Sequence, residues 1–422
     1  METAAYGLAL CALGLEKVLQ SEIEHIGLKS AGREAGRVRF ELGAEPAAAL
    51  MRANLCLRCA ERILIEVGYF HAENFDELFE NVRELPWELY FRRDDKLVIE
   101  RVRLRDSRLA AQTSVESVAH KAVYERLGAV FNLSRLPEAG QERSLRVYIE
   151  SDRCLLGLDT SGEALHRRGY RRNSVEAPLK ETVAAGMLFL SGWNRRIPLL
   201  DPFCGSGTIG VEAALLATDR APGLGRAFAL EGMPFAKAKA LGAETEAAKA
   251  RVRRDVEFRI TCSDADPRAL EAARANAALA GVAAGLEFRK AKAEDAAPEY
   301  EKGYLLCNPP YGERLGTVGE AEELYRRMGG TAARFDGWGL GFIVNRPDFG
   351  DFFGGYAAST TKIVNGSEEQ WFEWYAPGAE RSAVRPERED RSGRGPRPRS
   401  PGAPRDSGSR EGPSRRGRPP RR

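Results

Sequence analysis

The stretch "PLLDPFCGSGTIGVEAALLA" constrains the fold of this chain more than any other. The apolar run that ends at Asp201-Pro202 reads as a short buried strand, and the run from Ile209 reads as a helix. Between them Gly205, Gly207 and Gly210 fall in a GxGxxG spacing. Glycine tolerates positive φ and lets backbone N–H groups come close to a ligand. Strand, glycine turn and helix in that order open a nucleotide-binding α/β unit. Around this unit the patterns predict helix Glu181–Leu190, strand Pro198–Leu200, helix Ile209–Leu216, strand Glu257–Thr261 and helix Arg268–Leu279. Strands Leu286–Arg289 and Tyr304–Cys307, a helix near Glu320–Met328 and strand Gly339–Val344 follow. Such alternation implies a doubly wound, mostly parallel sheet, with ligands beyond the carboxyl ends of its strands.

Two carboxylate positions narrow the ligand. Asp201 stands at the strand end just before the glycines, where it would repel a pyrophosphate and attract an ammonium. The next strand ends in "TCSDADP", which offers Asp264 and Asp266 to ribose hydroxyls. Those acids lie more than fifty residues beyond the glycines, against the roughly 20 of a nicotinamide fold. An insertion, "DRAPGLGRAFALEGMPFA" and the helix after it, accounts for the gap. A cofactor with an adenosine and an amino-acid end, S-adenosylmethionine, suits this pattern, and a nicotinamide dehydrogenase does not. Asp266, before Pro267, serves equally as a helix N-cap.

"LLCNPPYGERLG" ends another apolar run with Asn308, Pro309, Pro310 and Tyr311. Two prolines remove two backbone donors and fix both φ angles, so the strand stops in a rigid turn. The Asn308 side-chain carbonyl and a neighbouring backbone carbonyl can both accept from an exocyclic amine, while Tyr311 offers a face for a base to stack on. Catalysis of that kind is mainly positioning. The base must be unpaired or flipped to enter, and the four residues suit an adenine or a guanine amine alike.

Residues 1 to about 155 read as a small α+β region. Strand-like "RVRFEL", "KLVIERVRL", "SLRVYIE" and "CLLGLD" alternate with helices over Glu16–Glu24, Ala47–Glu66 and Ser114–Leu127. The last of these carries Lys121 and Arg126 and reads as an ordinary amphipathic surface helix. Ala4–Leu15 reads as a buried strand leading into a helix rather than a signal peptide, and no apolar run approaches the roughly 18 residues of a membrane span. A cytoplasmic protein without a membrane partner is expected. Seven scattered cysteines fit reduced thiols. Cys56 and Cys59 form a CxxC on a helix-like pattern and read as core thiols. With only four histidines, spread along the chain, no metal site is expected.

In combination, "DPFCGSGTIGVEAA", "NPPYGERLG" and the upstream "LHRRGYRRNSVEAPLKETVAAGMLFLSGW" resemble the THUMP-domain RNA methyltransferases, the bacterial branch similar to the 23S rRNA guanine-N2 methyltransferase. The resemblance runs from "GLEKVLQSEI" to about residue 376. It implies a ferredoxin-like module over 1–50, a THUMP RNA-binding domain over 51–158 and a class I (Rossmann-like) α/β methyltransferase domain over 159–378. It further implies that Asp201, Phe203, Gly205 and Gly207 line the S-adenosylmethionine pocket, that Asp264 and Asp266 face its ribose, and that "APLKET", ending at Thr182, covers its methionine end. Asn308, Pro309, Pro310 and Tyr311 would then receive a guanine of 23S rRNA or of a large-subunit assembly intermediate. N6-adenine methylation, a transfer-RNA substrate and a non-catalytic assembly factor are the competing readings. The sequence departs from the family at Lys292, where an acid is usual, leaving Asp295 for the adenine edge, and at Met233, where a Trp is usual.

"HRRGYRR" gathers Arg167, Arg168, Arg171 and Arg172 between the two halves, as phosphate contacts or as a solvated charge run. From Glu380 onward the chain holds 14 Arg against 6 acids, a net +8 that leaves −5 for the remainder of the +3 total. Rich in Arg, Pro, Gly and Ser and lacking aromatics, residues 379–422 are expected to be disordered. Truncation after Gly378 should weaken RNA binding and flatten its salt dependence in a filter-binding titration. An unchanged salt slope would remove the tail from RNA binding.

Overall fold

The computed structural model describes residues 5–171, 179–310, 318–366 and 368–379. The first half forms β1 (Tyr6–Cys11), α1 (Glu16–His25), β2 (Ser30–Glu34), β3 (Arg37–Glu41), α2 (Pro46–Cys56), β4 (Ala60–His71), α3 (Phe75–Glu84), β5 (Lys96–Arg105), α4 (Gln112–Phe131), β6 (Glu142–Glu150) and β7 (Arg153–Asp159). All seven strands join one sheet in the order β2-β3-β1-β4-β7-β6-β5. Long β4 is its hinge piece, pairing antiparallel with β1 on one side and β7 on the other.

Here the expected helix Ala47–Glu66 needs correction. Its first half is α2, but the chain turns after Cys56, and Ala60 onward is strand. Residues Ile63 through Val67 are all buried, so no clean two-residue alternation shows in "AERILIEV". A continuous apolar run does not separate helix from strand; the β-branched Ile63, Ile65 and Val67 favour the strand. Cys56 therefore closes a helix while Cys59 lies in the turn before β4, both buried and unbridged. The expected division after residue 50 falls inside α2.

The second half forms α5 (Glu181–Leu190), β8 (Leu199–Asp201), α6 (Thr208–Ala217), α7 (Ala238–Ala250), β9 (Ile260–Asp264), α8 (Pro267–Ala280), β10 (Leu286–Lys290), β11 (Tyr304–Cys307), α9 (Val318–Ala332), β12 (Gly339–Val344), α10 (Phe349–Phe353), β13 (Ser359–Asn365) and β14 (Glu368–Tyr375). Its sheet runs β10-β9-β8-β11-β12-β14-β13. The first five strands are parallel, and β14 and β13 add an antiparallel hairpin. Apolar residues of α5, α6 and α8 pack with Leu199, Ile260, Leu306 and Ile343 in one core cluster. Those of α9 and α10 pack with Leu305, Cys307, Phe342 and Val344 in another. Among the described residues no helix is long and apolar enough to cross a membrane.

The insertion before α7 docks onto the first half. Arg143 of β6 is buried; it donates to Asp95 (2.9 Å) and to the carbonyls of Ala229 (2.7 Å) and Gly232 (2.6 Å). A Cβ at Gly232 would lie 1.9 Å from the Gln141 amide oxygen and 2.7 Å from Arg143 Nη2, so any side chain here would push the ends of those two side chains aside. Neighbouring Met233 is buried among the core residues of the first half, with Leu50, Trp87 and Val147 in the same cluster, as a large apolar residue should be at this position. Arg143→Ala would strand Asp95 in the interior beside two carbonyls that lose their donor. We expect a loss of about 3–5 kcal/mol in a urea melt; a loss under about 1 kcal/mol would show that the insertion does not depend on it.

Candidate active site

Asp201, Asp264 and Asn308 stand at the carboxyl ends of the adjacent parallel strands β8 and β9 and of β11. Registers Asp201↔Cys262 and Leu305↔Leu200 place Asp201 level with Cys262 and, continued by one residue, with Leu306. Side chains alternate faces along a strand, so Asp264 and Asn308, each two residues further on, project on the face of the sheet that Asp201 uses. The sequence brings the three together although 107 positions separate Asp201 from Asn308.

The glycine turn is folded around these acids. Gly205 (φ 50°) and Gly207 (φ 82°) both occupy the left-handed region that side chains disfavour. The Gly205 N–H donates to Asp264 Oδ2 (2.9 Å) and the Cys204 N–H to the Ser263 carbonyl (3.0 Å). A Cβ at Gly207 would lie 2.9 Å from Ala273 of α8, and one at Gly210 only 2.3 Å from the Cys262 sulfur. Thus the glycines also let α6 close onto β9 and α8. Asn276 of α8, which the sequence did not single out, donates to the Ser206 carbonyl (3.0 Å) and holds the turn from behind.

Each carboxylate has a distinct state. Asp201 is 1% exposed, and its one hydrogen bond given by the structure comes from the Phe203 N–H at 3.2 Å. Burial, with the Asp264 charge adding to it, pushes its carboxyl well above the ordinary carboxylate range. Among the described residues no cation pairs with this carboxyl, and an incoming ammonium would supply one. Asp264 spans two loops, accepting from Gly205 N–H and, through Oδ1, from Asp266 N–H (2.9 Å). Asp266 caps α8 by accepting from the Arg268 N–H (2.9 Å), and the hydrogen bond of the Arg268 side chain holds its carboxyl below the usual range. Half-buried Phe203 packs against the cluster that holds α9 and α10, and Asp295 lies exposed after β10.

Asn308 follows β11 directly, and Pro309 behind it is buried. Its Oδ1 is buried without a hydrogen-bond partner. Buried amide oxygens are nearly always paired, so this one is poised for a donor that arrives from outside. Tyr311 lies outside the described residues. Thr182, at the start of α5, is buried and gives its hydroxyl to Glu61 of β4, which also meets His166 Nδ1 (2.8 Å). Its side chain is thus tied to the first half rather than turned to a cofactor.

The arginine run needs a correction too. Of the described arginines in the run only Arg167 is exposed, and it pairs with Glu163 (2.9 Å). Arg168 is 2% exposed at its side chain, faces Glu212 of α6 (3.5 Å) and donates to the carbonyls of Leu165 (2.7 Å) and Arg58. Arg171 donates to the Leu179 carbonyl (2.8 Å) and Thr208 Oγ1 (2.7 Å) and faces Glu181 (3.4 Å). Arg172 lies outside the described residues. Arg168 and Arg171 therefore brace the helix behind the glycine turn, because a buried Glu212 demands a cation. The signal was present in "TIGVEAALLA": a lone acid in an apolar helix needs a partner.

Residues 8–64 match the RlmL ferredoxin-like domain, 72–159 the THUMP domain, and 168–370 the RMKL-like methyltransferase domain. The chain is 32% identical to YpsC of Bacillus subtilis (strain 168) over 90% of this chain and 97% of that one. It is 35% identical to the ribosomal RNA large subunit methyltransferase K/L of Syntrophotalea carbinolica over 84% of this chain, but spans only 51% of that protein's length. Among solved structures, SMU.472 complexed with SAH shares 33% identity and a TM-score of 0.81, covering 90% of this chain and 100% of that one. "A predicted N6-adenine-specific DNA methylase from Listeria monocytogenes str. 4b F2365" shares 34% identity and a TM-score of 0.81, covering 88% and 96%. With its ferredoxin-like, THUMP and class I domains all matched, the chain belongs to the THUMP-domain RNA methyltransferases, enzymes that use S-adenosylmethionine.

Proposed function

We propose that this enzyme methylates the exocyclic N2 amine of a guanine in 23S rRNA, presented free or in a large-subunit assembly intermediate. The observation that carries the reading is the unpartnered Asn308 Oδ1 at the end of β11. An exocyclic amine has two protons to give. Asn308 Oδ1 accepts one and the carbonyl of the Pro309 segment the other, where no proline N–H competes. Held by both, the amine nitrogen is turned with its lone pair away from the two acceptors. Bound S-adenosylmethionine supplies an electrophilic methyl group. The glycine turn gives it a backbone cradle, Asp201 receives its ammonium, and Asp264 faces its ribose while keeping Gly205 in place. These residues fit such a cofactor because the cradle is made of positive-φ glycines and the buried acid beside it pairs with no cation among the described residues.

A second base fits the same acceptors: adenine's N6 amine, which one solved relative's name carries. Guanine is favoured by the resemblance of the "NPPYGERLG" and "DPFCGSGTIGVEAA" motifs to the 23S rRNA guanine-N2 methyltransferases, while the THUMP domain and the large-subunit relative support an RNA substrate. Analysis of the methylated nucleoside separates them.

Two outcomes follow from the site. Asn308→Ala should lower turnover at least about a hundredfold, as loss of a positioned polar group does, with RNA affinity retained. Near-normal turnover would sink the proposed mechanism, and an unimpaired role in particle assembly with no methylation at all would favour the assembly-factor reading. The second concerns pH. Below its raised value the Asp201 carboxyl must give up a proton to pair with an ammonium, so cofactor affinity should rise with pH in that range. The slope should approach one decade per pH unit, and calorimetry of S-adenosylhomocysteine in buffers of different ionisation enthalpy should show proton release. Asp201→Asn should bind more weakly and without the slope; a wild-type affinity independent of pH, with no proton released, would remove Asp201 from the ammonium site.

A further inference from the structure

A second buried amide oxygen without a partner lies at the end of the neighbouring strand. Asn345 follows the last residue of β12, the strand next to β11, and its Oδ1 is buried without a hydrogen bond, as that of Asn308 is. The register Cys307↔Phe342, continued by one residue, sets Asn308 level with Ile343. Asn345 lies two residues further, so by alternation it shares the face that Asn308 uses. The core contacts agree: Leu306 and Ile343 belong to one cluster, and Cys307, Phe342 and Val344 to the cluster on the opposite face. Along the carboxyl edge the order is Asp264, Asp201, Asn308, Asn345, following β9, β8, β11 and β12. The acids assigned to the cofactor occupy one side of Asn308, and Asn345 the other.

The turn that carries Asn345 is tied down. Its neighbour Arg346 donates to Asp348 through Nε (2.9 Å) and Nη2 (2.7 Å), and through Nη2 to Glu322 of α9 (3.2 Å). The guanidinium also lies over the Phe352 ring, 5.0 Å from its centroid. Asn345 is thus held on a fixed turn with its acceptor unused. An orphaned buried acceptor is expensive to keep, and two at neighbouring strand ends call for a ligand with two adjacent donors.

We propose that Asn345 is a specificity-determining residue for the target base, its Oδ1 accepting the N1–H of guanine while Asn308 Oδ1 accepts from the N2 amine. This rests on the guanine reading above. On the Watson–Crick edge of guanine the N1–H and the N2 amine are neighbouring donors. Adenine presents N1 as an acceptor beside its N6 amine, and that lone pair would face the lone pairs of Asn345 Oδ1. One residue then rejects the base that the Asn308 acceptors alone would take. A site built to bond a donor discriminates strongly against an analogue lacking it, because the buried acceptor stays unpaired.

The test begins with the wild-type enzyme, S-adenosylmethionine and ribosomal RNA from cells lacking the protein. The methylated position is mapped, and short RNAs are made with guanine or 2-aminopurine there; 2-aminopurine keeps the amine at C2 and has no proton at N1. Wild-type kcat/KM should fall about 10- to 100-fold from guanine to 2-aminopurine. Asn345→Leu should lose a similar factor on guanine yet show little further loss on 2-aminopurine, and Asn345→Asp, which keeps an acceptor, should retain the preference for guanine. Unchanged affinity for S-adenosylhomocysteine certifies the fold of each variant. An equal 2-aminopurine penalty in wild type and Asn345→Leu overturns the role of Asn345 while leaving guanine as target. N6-methyladenosine as the wild-type product overturns the guanine reading and this inference with it.

Discussion

The fold turns on a buried carboxylate. Glu212 sits fully buried in α6, immediately behind the glycine turn, where an unpaired charge would be strongly unfavourable. Arg168 faces it and the Tyr170 hydroxyl donates to it (3.1 Å). Arg168 also bonds the carbonyl of Arg58, and Arg58 itself is buried and reaches the carbonyls of Leu215 (3.2 Å) and Arg220 (2.9 Å) at the end of α6. The N–H groups of Arg58 and Cys59 donate in turn to Glu22 of α1 (2.8 and 3.0 Å). A run of charged groups therefore ties the first sheet to the helix that holds the glycine turn. Breaking one partner of a buried pair leaves the other uncompensated, so the two halves are held to one geometry wherever this network is intact.

That coupling gives the N-terminal half a part in shaping the catalytic half. Glu61 of β4 receives the Thr182 hydroxyl at the start of α5, and the Leu13 and Val364 backbones bridge α1's approach to β13 (3.0 and 3.1 Å). Domains that bind RNA and domains that transfer a methyl group need a fixed spacing if a base is to reach the right pocket. Here buried hydrogen bonds and an ion pair tie the two halves together.

How much of this was legible in the sequence depends on where local pattern and tertiary context agree. The strand Tyr304–Cys307 and the helix Glu181–Leu190 fall at the expected residues, because Pro309 and the apolar helix periodicity are local signals. Asp201, Asp264 and Asn308 could be named because each ends a strand at the carboxyl edge, where ligands of such sheets bind. The strand Ala60–His71 was hidden, since burial on both faces erased its alternation. Arg168 was misread, as a run of arginines looks the same in sequence whether it meets phosphate or buried acids. Asn345 carries no local signal at all; it matters only once β12 is seen to lie beside β11.

The base that carries the new methyl group decides whether the site works as proposed. Labelled S-adenosylmethionine would be incubated with the purified enzyme and RNA or ribosomal particles from cells lacking it, with ribosomal and transfer fractions kept apart and digested to nucleosides. Label in N2-methylguanosine from the large ribosomal RNA is the predicted result. Label in N6-methyladenosine would contradict the choice of base while keeping the site, and label confined to transfer RNA would contradict the choice of substrate.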